Sequence, residues 1–150
     1  MDFTASAPLT ADPQRVFAEL IDLGTYPEWL GLVHGAEPAA PHDEDPGPAW
    51  MVDLGIVIGP FKKTKRVRMV RTEKVTPKLA RFERMEHDGE EHSPWVLVAE
   101  VEVSGSGSLF TMDLHYGGNL SVPGVESLLR EEVRRAGARL EERLTTAAGA

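Results

Sequence analysis

The spacing of apolar residues changes twice along the chain and so marks three regions. After a short opening strand at residues 2–9, with Phe3 and Ala5 on one face, Val16, Phe17, Leu20 and Ile21 recur at helical spacing. Asp12-Pro13 in front of them is a helix-start signal. The Asp side chain can accept from the free amides of the first turn, and a proline there gives up no hydrogen bond. Gly24 is positioned to stop that helix, and Tyr26-Pro27-Glu28-Trp29-Leu30 reads as a second, very short one that Gly31 breaks. A brief strand is expected at Val33–Ala36, and Pro38 to Pro48 reads as a solvated loop in which nothing packs.

From Ala49 the period drops to two. Trp50, Val52, Leu54, Ile56 and Ile58 alternate with Met51, Asp53, Gly55 and Val57, and Gly59-Pro60 turns the chain. Strands are expected at 62–75, 79–87 and 94–103, the last with its odd positions apolar and Glu100 and Glu102 outward. Ser104-Gly105-Ser106-Gly107 reads as a hairpin turn into a final strand where Phe110, Met112, Leu114 and Tyr116 alternate with Thr111, Asp113 and His115. Beyond Pro123-Gly124 the helical period returns in Val125, Leu128, Leu129, Val133, Ala136, Leu140 and Leu144, with residues 145–150 expected as a frayed tail. The order is α+β. An antiparallel sheet of six or seven strands must cover one apolar face with a single long helix, so it curves round that helix, with the two short helices at one end. One helix cannot fill such a concavity, and a hollow between sheet and helix is expected.

Composition narrows the classes. A chain of 150 residues, 41% apolar and 27% charged, is read as one domain over 1–150 that buries a core without staples. The absence of cysteine removes disulfides, thiolate metal sites and a thiol nucleophile. No apolar run approaches the ~20 residues of a membrane span, and Met1-Asp2-Phe3-Thr4 lacks the features of a signal peptide. The expectation is a cytoplasmic protein, monomer or homodimer. A net charge of −8 disfavours nucleic acid and anionic lipid as partners. Yet Lys62, Lys63, Lys65, Arg66, Arg68, Arg71, Lys74, Lys78, Arg81 and Arg84 face only Glu73 and Glu83 within residues 62–84. That basic run reads either as a docking face for an acidic protein partner or as strands paired with acidic neighbours across the sheet.

Two stretches carry a family likeness. TADPQRVFAELIDLGTYPEWL (Thr10 to Leu30) resembles the first segment of the START-like, or polyketide cyclase/dehydrase, superfamily (SRPBCC), and SVPGVESLLREEVRRAGARLEERL (Ser121 to Leu144) resembles its closing helix. The resemblance spans nearly the whole chain and implies the helix-grip fold with a cavity for hydrophobic small molecules. Members include carriers of lipids and aromatase/cyclases. Gly59-Pro60-Phe61 is also similar to a strand entry in a group of carbon monoxide dehydrogenase accessory subunits, which adds an accessory-subunit alternative.

Residues with candidate roles follow from the alternation. Met51 or its neighbours, Met69, Phe82, Leu97, Phe110, Met112, Leu114 and Tyr116 could face Val125, Leu129 and Val133 of the last helix, as cavity lining or as plain core filling. Trp29 reads either as a gate at the cavity mouth or as a plug between the short helices and the sheet. For a cyclase, Tyr116, Arg84 and Glu86 are the candidates to polarise a carbonyl and move a proton, but an inward Arg84 or Glu86 would have to be paired. Asp113 and His115 share a strand face that the alternation turns outward. His34, His42, His87, His92 and His115 show no metal-ligand spacing, so neither a metal nor a cofactor is expected. The readings carried forward are a carrier or sensor of a small hydrophobic ligand (a lipid or a polyketide-like molecule), a cyclase-type enzyme, and the accessory subunit.

Overall fold

Alternating side chains make a strand with one buried face, and the computed structural model, which describes residues 1–58, 60–118 and 123–148, contains seven such strands. They are β1 (Asp2–Leu9), β2 (Val33–Pro38), β3 (Ala49–Ile58), β4 (Phe61–Val75), β5 (Leu79–Arg84), β6 (Trp95–Ser104) and β7 (Gly107–Tyr116). All pair antiparallel in the order β1-β7-β6-β5-β4-β3-β2. The sheet curves round the long helix α2 (Val125–Ala148), which is the helix-grip arrangement. Gly59, in the Gly59-Pro60-Phe61 entry, and residues 119–122 before α2 lie outside the described residues.

The two short helices follow β1, with different bounds from those the sequence suggests. Helix α1 (Pro13–Leu20) starts where expected, with the Asp12 side chain accepting from the Gln14 N–H at 2.7 Å. It ends at Leu20 because Asp22 begins a new cap: its carboxylate accepts from the Gly24 N–H at 2.8 Å and opens a 3-10 helix over Leu23–Glu28. Gly24 is therefore inside the second helix's first turn and is not the stop of the first.

Strand β5 is shorter than its apolar pattern suggests, because the chain turns away from β6 after Arg84, and His87 takes φ 56°. β7 starts three residues before Phe110, since Gly105 at φ 58° allows a two-residue turn that pairs Ser104 with Gly107. Gly107 itself is a packing requirement. A Cβ there would sit on the Leu9 carbonyl oxygen, a backbone atom that cannot move aside. Gly107→Ala is expected to cost about 2 kcal/mol. The check is a lower urea midpoint at unchanged slope; an unchanged midpoint would refute the packing argument.

Helix α2 buries Val125, Leu129, Val133, Ala136, Leu140 and Leu144. It continues past Leu144 to Ala148, where the sequence suggests a frayed tail, and residues 149–150 lie outside the described residues. Its C-terminal half is fastened. Glu141 accepts from the Thr10 N–H at 2.6 Å, Arg15 donates to the Leu144 carbonyl at 2.6 Å, and Arg143 pairs with Glu19 at 3.1 Å. Its N-terminal half roofs the concave face of the sheet.

Candidate functional site

The concavity is filled unevenly. Next to the short helices it is solid: Tyr26 and Trp29 rings lie 4.3 Å apart, Trp29 meets Phe110 edge-on at 5.9 Å, and Phe82 meets both Tyr26 (5.9 Å) and Trp50 (5.7 Å). Burial pushes the Tyr26 phenol above its usual range, with Asp22 adding to the shift, so the hydroxyl stays neutral and donates to the Leu20 carbonyl at 2.8 Å. Trp29 is fully buried, and its Nε1–H donates to Thr25 Oγ1 at 3.1 Å. It is the plug of the two alternatives.

Under the N-terminal half of α2 the filling stops short. A cavity of about 70 Å³ remains there, walled by Phe3 of β1, Val52 and Leu54 of β3, Met69 of β4, Trp95 and Leu97 of β6, and Met112 and Leu114 of β7. Leu129 and Val133 of α2 form its roof, and Leu23, Leu30, Leu32 and Val33 close one side. Of the residues the sequence nominates, Met69, Leu97, Met112, Leu114, Leu129 and Val133 therefore do line it. Phe82 and Phe110 do not, because both are fully buried in the aromatic cluster. Val125 is buried but not on the wall. Met51 is on the other face: the even-numbered Trp50 and Val52 point inward and Met51 opposes Arg68 outside. Tyr116 is buried beside the cavity, its ring stacked on Trp95 at 4.3 Å with Lys63 Nζ 5.6 Å from the ring centroid.

The nominated polar residues are occupied elsewhere. Arg84 is inward and only 6% exposed at its side chain, but its Nε–H donates to Glu86 at 2.5 Å and another N–H to the Ser93 carbonyl at 3.3 Å. Asp113 and His115 are on the outer face, where Asp113 accepts from Thr4 and His115 contacts Asp2 at 2.7 Å. The arginines of the basic run are engaged, whereas its lysines form no ion pair among the described residues: Arg66 pairs with Asp53 at 3.0 Å, Arg81 with Glu83 at 3.3 Å, and Arg71 donates to the Ile21 carbonyl at 2.8 Å.

The loop at 39–48 is not idle, contrary to its polar composition. It crosses the outer face of β4, and Arg68 donates to both Asp45 oxygens (2.9 and 2.6 Å) and to the Ala40 and Met85 carbonyls. Val70 is fully buried beneath it. His87 reaches Asp45 at 2.8 Å and stacks on His42 with ring centroids 3.8 Å apart. Topology thus gathers His42 and Glu44 with His87 within 4.8 Å, which no sequence spacing announces, while Asp88, Glu90 and His92 meet locally at two-residue steps of one loop. The parallel rings set the imidazole nitrogens side by side, not converging, and His42 Nδ1 already accepts from the Glu44 N–H.

The model of one protein family, described as polyketide cyclase / dehydrase and lipid transport, matches residues 1–145. The chain belongs to this family. Solved structures agree at the level of fold. A START superfamily protein of Mycobacterium smegmatis superposes with a TM-score of 0.69 at 17% identity, covering 97% of this chain and 98% of that one. A Thermus thermophilus protein gives 0.67 at 21% identity (98% and 99% covered), and ginseng major latex-like protein 151 gives 0.66 at 17% (95% and 96%). No match is found among curated proteins. As in any polyketide cyclase / dehydrase and lipid transport domain, fold leaves the chemistry open. No described helix is long and apolar enough to cross a membrane.

Proposed function

We propose that this family member takes up a small hydrophobic molecule in the cavity under α2 and carries or senses it. The observation that supports the reading is the lining: a void remains inside an otherwise close-packed interior, and its walls are almost wholly apolar side chains. A cyclase needs a polar group aimed at its substrate, whereas Arg84 and Glu86 hold each other and lie off the cavity wall. An accessory role through the 62–84 run is less well supported, because its arginines already have partners.

At about 70 Å³ the resting void is smaller than the ~150 Å³ cavity that holds benzene. Uptake therefore requires the walls to yield. Met69 and Met112 are the adaptable side chains on those walls, and among the described residues the N-terminal half of α2 reaches the sheet through Arg130 over the Phe3 ring, without the hydrogen bonds and ion pair that fasten its other half. The test is native mass spectrometry of the purified chain, with organic extraction of what it holds. An apolar guest, or saturable uptake of 1-octanol by guest-free protein, is expected. Repeatedly guest-free protein that 1-octanol does not titrate would overturn the reading.

A further inference from the structure

We propose that the free end of the β3–β4 hairpin is a docking surface for an anionic lipid bilayer. The inference goes beyond the cavity reading, and its test needs no guest, so either can fail without the other. The two strands keep register without a bulge to their last rank, Ile58↔Phe61, but their outer neighbours stop earlier. β2 pairs with β3 only as far as Val33↔Leu54, and the Gly55 N–H still donates to the Leu32 carbonyl at 2.9 Å. On the other side β5 pairs with β4 only from Met69↔Arg84 onward. Among the described residues, the ranks Ile56↔Lys63, Val57↔Lys62 and Ile58↔Phe61 therefore have no third strand beside them.

The sequence of that projection does not suit water alone. A two-stranded hairpin without further support is marginal in water. Ile56-Val57-Ile58 is an unbroken apolar run, and successive residues of a strand take opposite faces, so no pleat turns all three toward the body of the protein. The returning strand brings Lys62, Lys63 and Lys65, and no acidic residue occurs between Asp53 and Glu73. Lys62 is exposed and Lys63 and Lys65 are half-buried. None of them belongs to an ion pair among the described residues, whereas Arg66 beside them is taken by Asp53. Lys63 Nζ lies 5.6 Å from the Tyr116 ring centroid, a contact that leaves its charge unneutralised.

An apolar run and unneutralised ammonium groups at one end of one hairpin match a surface that is anionic outside and hydrocarbon beneath. An acidic protein would answer the lysines and leave the apolar run without a partner. At physiological salt, charges are screened over ~8 Å, so docking follows the local charge of the hairpin and not the net −8 of the chain. Leu54 and Gly55, which lead into the projection, are on the cavity wall. A docked bilayer would then adjoin the cavity, and an apolar guest would have a short path between the two.

The experiment floats the full chain with vesicles of phosphatidylcholine, with and without about 30% phosphatidylserine. The anionic vesicles are expected to bind about 100-fold more tightly, at about fivefold for each lysine, and added salt to erase most of that preference. Lys62→Gln, Lys63→Gln and Lys65→Gln together are expected to bring the two vesicle types to within a few-fold. Lys74→Gln with Lys78→Gln makes a similar charge change at the opposite, exposed end of β4 and is expected to alter binding by less than about twofold. Ile58→Ser keeps every charge and is expected to weaken binding to the anionic vesicles about tenfold. Unchanged urea midpoints establish that the variants fold. Equal binding to both vesicle types, or a Lys74/Lys78 variant as damaging as the triple one, would overturn the docking surface. Binding to polyglutamate that Ile58→Ser leaves unaltered, with none to anionic vesicles, would give the lysines to an acidic protein and overturn it equally.

Discussion

Asp45→Asn is expected to cost about 3 kcal/mol of stability, because removing one partner of a buried ion pair leaves the other charge uncompensated. The Asp45 side chain is 3% exposed and that of Arg68 10%, unlike the exposed pairs on the rest of the surface, which are worth a fraction of that. The loss reaches further than the pair. Arg68 also donates to the Ala40 and Met85 carbonyls, so a guanidinium without its carboxylate partner loosens the fastening of the loop at 39–48 as well. The pair gives the protein a pH dependence of known sign. The hydrogen bonds from Arg68 chiefly, opposed by desolvation and helped by His87, hold the Asp45 carboxyl well below the ordinary range. A carboxylate depressed in the folded state stabilises above its unfolded pKa, about 4, and that contribution drains away as pH falls below it toward the folded value. Urea midpoints measured from pH 6 down to pH 2 should fall more steeply for the native chain than for Asp45→Asn. Parallel curves would remove Asp45 from the account.

Val133→Phe is expected to abolish guest uptake, with affinity for 1-octanol falling by more than tenfold, while costing little or no stability. Val133 is a roof residue and 2% exposed, and the added ring has the void to enter. Val67→Phe makes the opposite case. Val67 is fully buried on the same concave face but not on the cavity wall, so a larger ring there must displace packed neighbours, at about 1–3 kcal/mol. Denaturant midpoints and 1-octanol titrations of both variants separate a real void from a solid core. If Val133→Phe destabilises as much as Val67→Phe, the interior has no room to spare.

The sheet was legible because its strands alternate almost without interruption. In β6, Trp95, Leu97, Ala99 and Val101 are buried in turn, as the odd-position pattern indicates. The helix-grip arrangement follows from having one long apolar helix face and one apolar sheet face. The family likeness at Thr10 to Leu30 and Ser121 to Leu144 pointed the same way. Parity failed at Met51, where both neighbours and the residue itself are apolar and only cross-strand register decides the inward face. Phe82 and Phe110 were legible as inward-facing, and Trp29 as either a gate or a plug. What assigns them to the plug rather than to the cavity is the position of the short helices over one end, which is a tertiary fact. The Asp45–Arg68 tie was invisible because its partners lie 23 residues apart in a loop that composition marks as solvated. The Trp95 N–H, buried with no partner among the described residues, was likewise hidden, since an unmade hydrogen bond leaves no mark on a sequence.

The hollow under α2 is tested most directly by methyl NMR of the full chain with ε-labelled methionine, titrated with 1-octanol. Met69 and Met112 are on the cavity wall and Met51 is on the outer face of the same sheet, so the protein carries its own control. Saturable shifts at Met69 and Met112, with Met51 unmoved, are the predicted result. Met69 and Met112 resonances that stay fixed while the alcohol is raised to its solubility limit would contradict it.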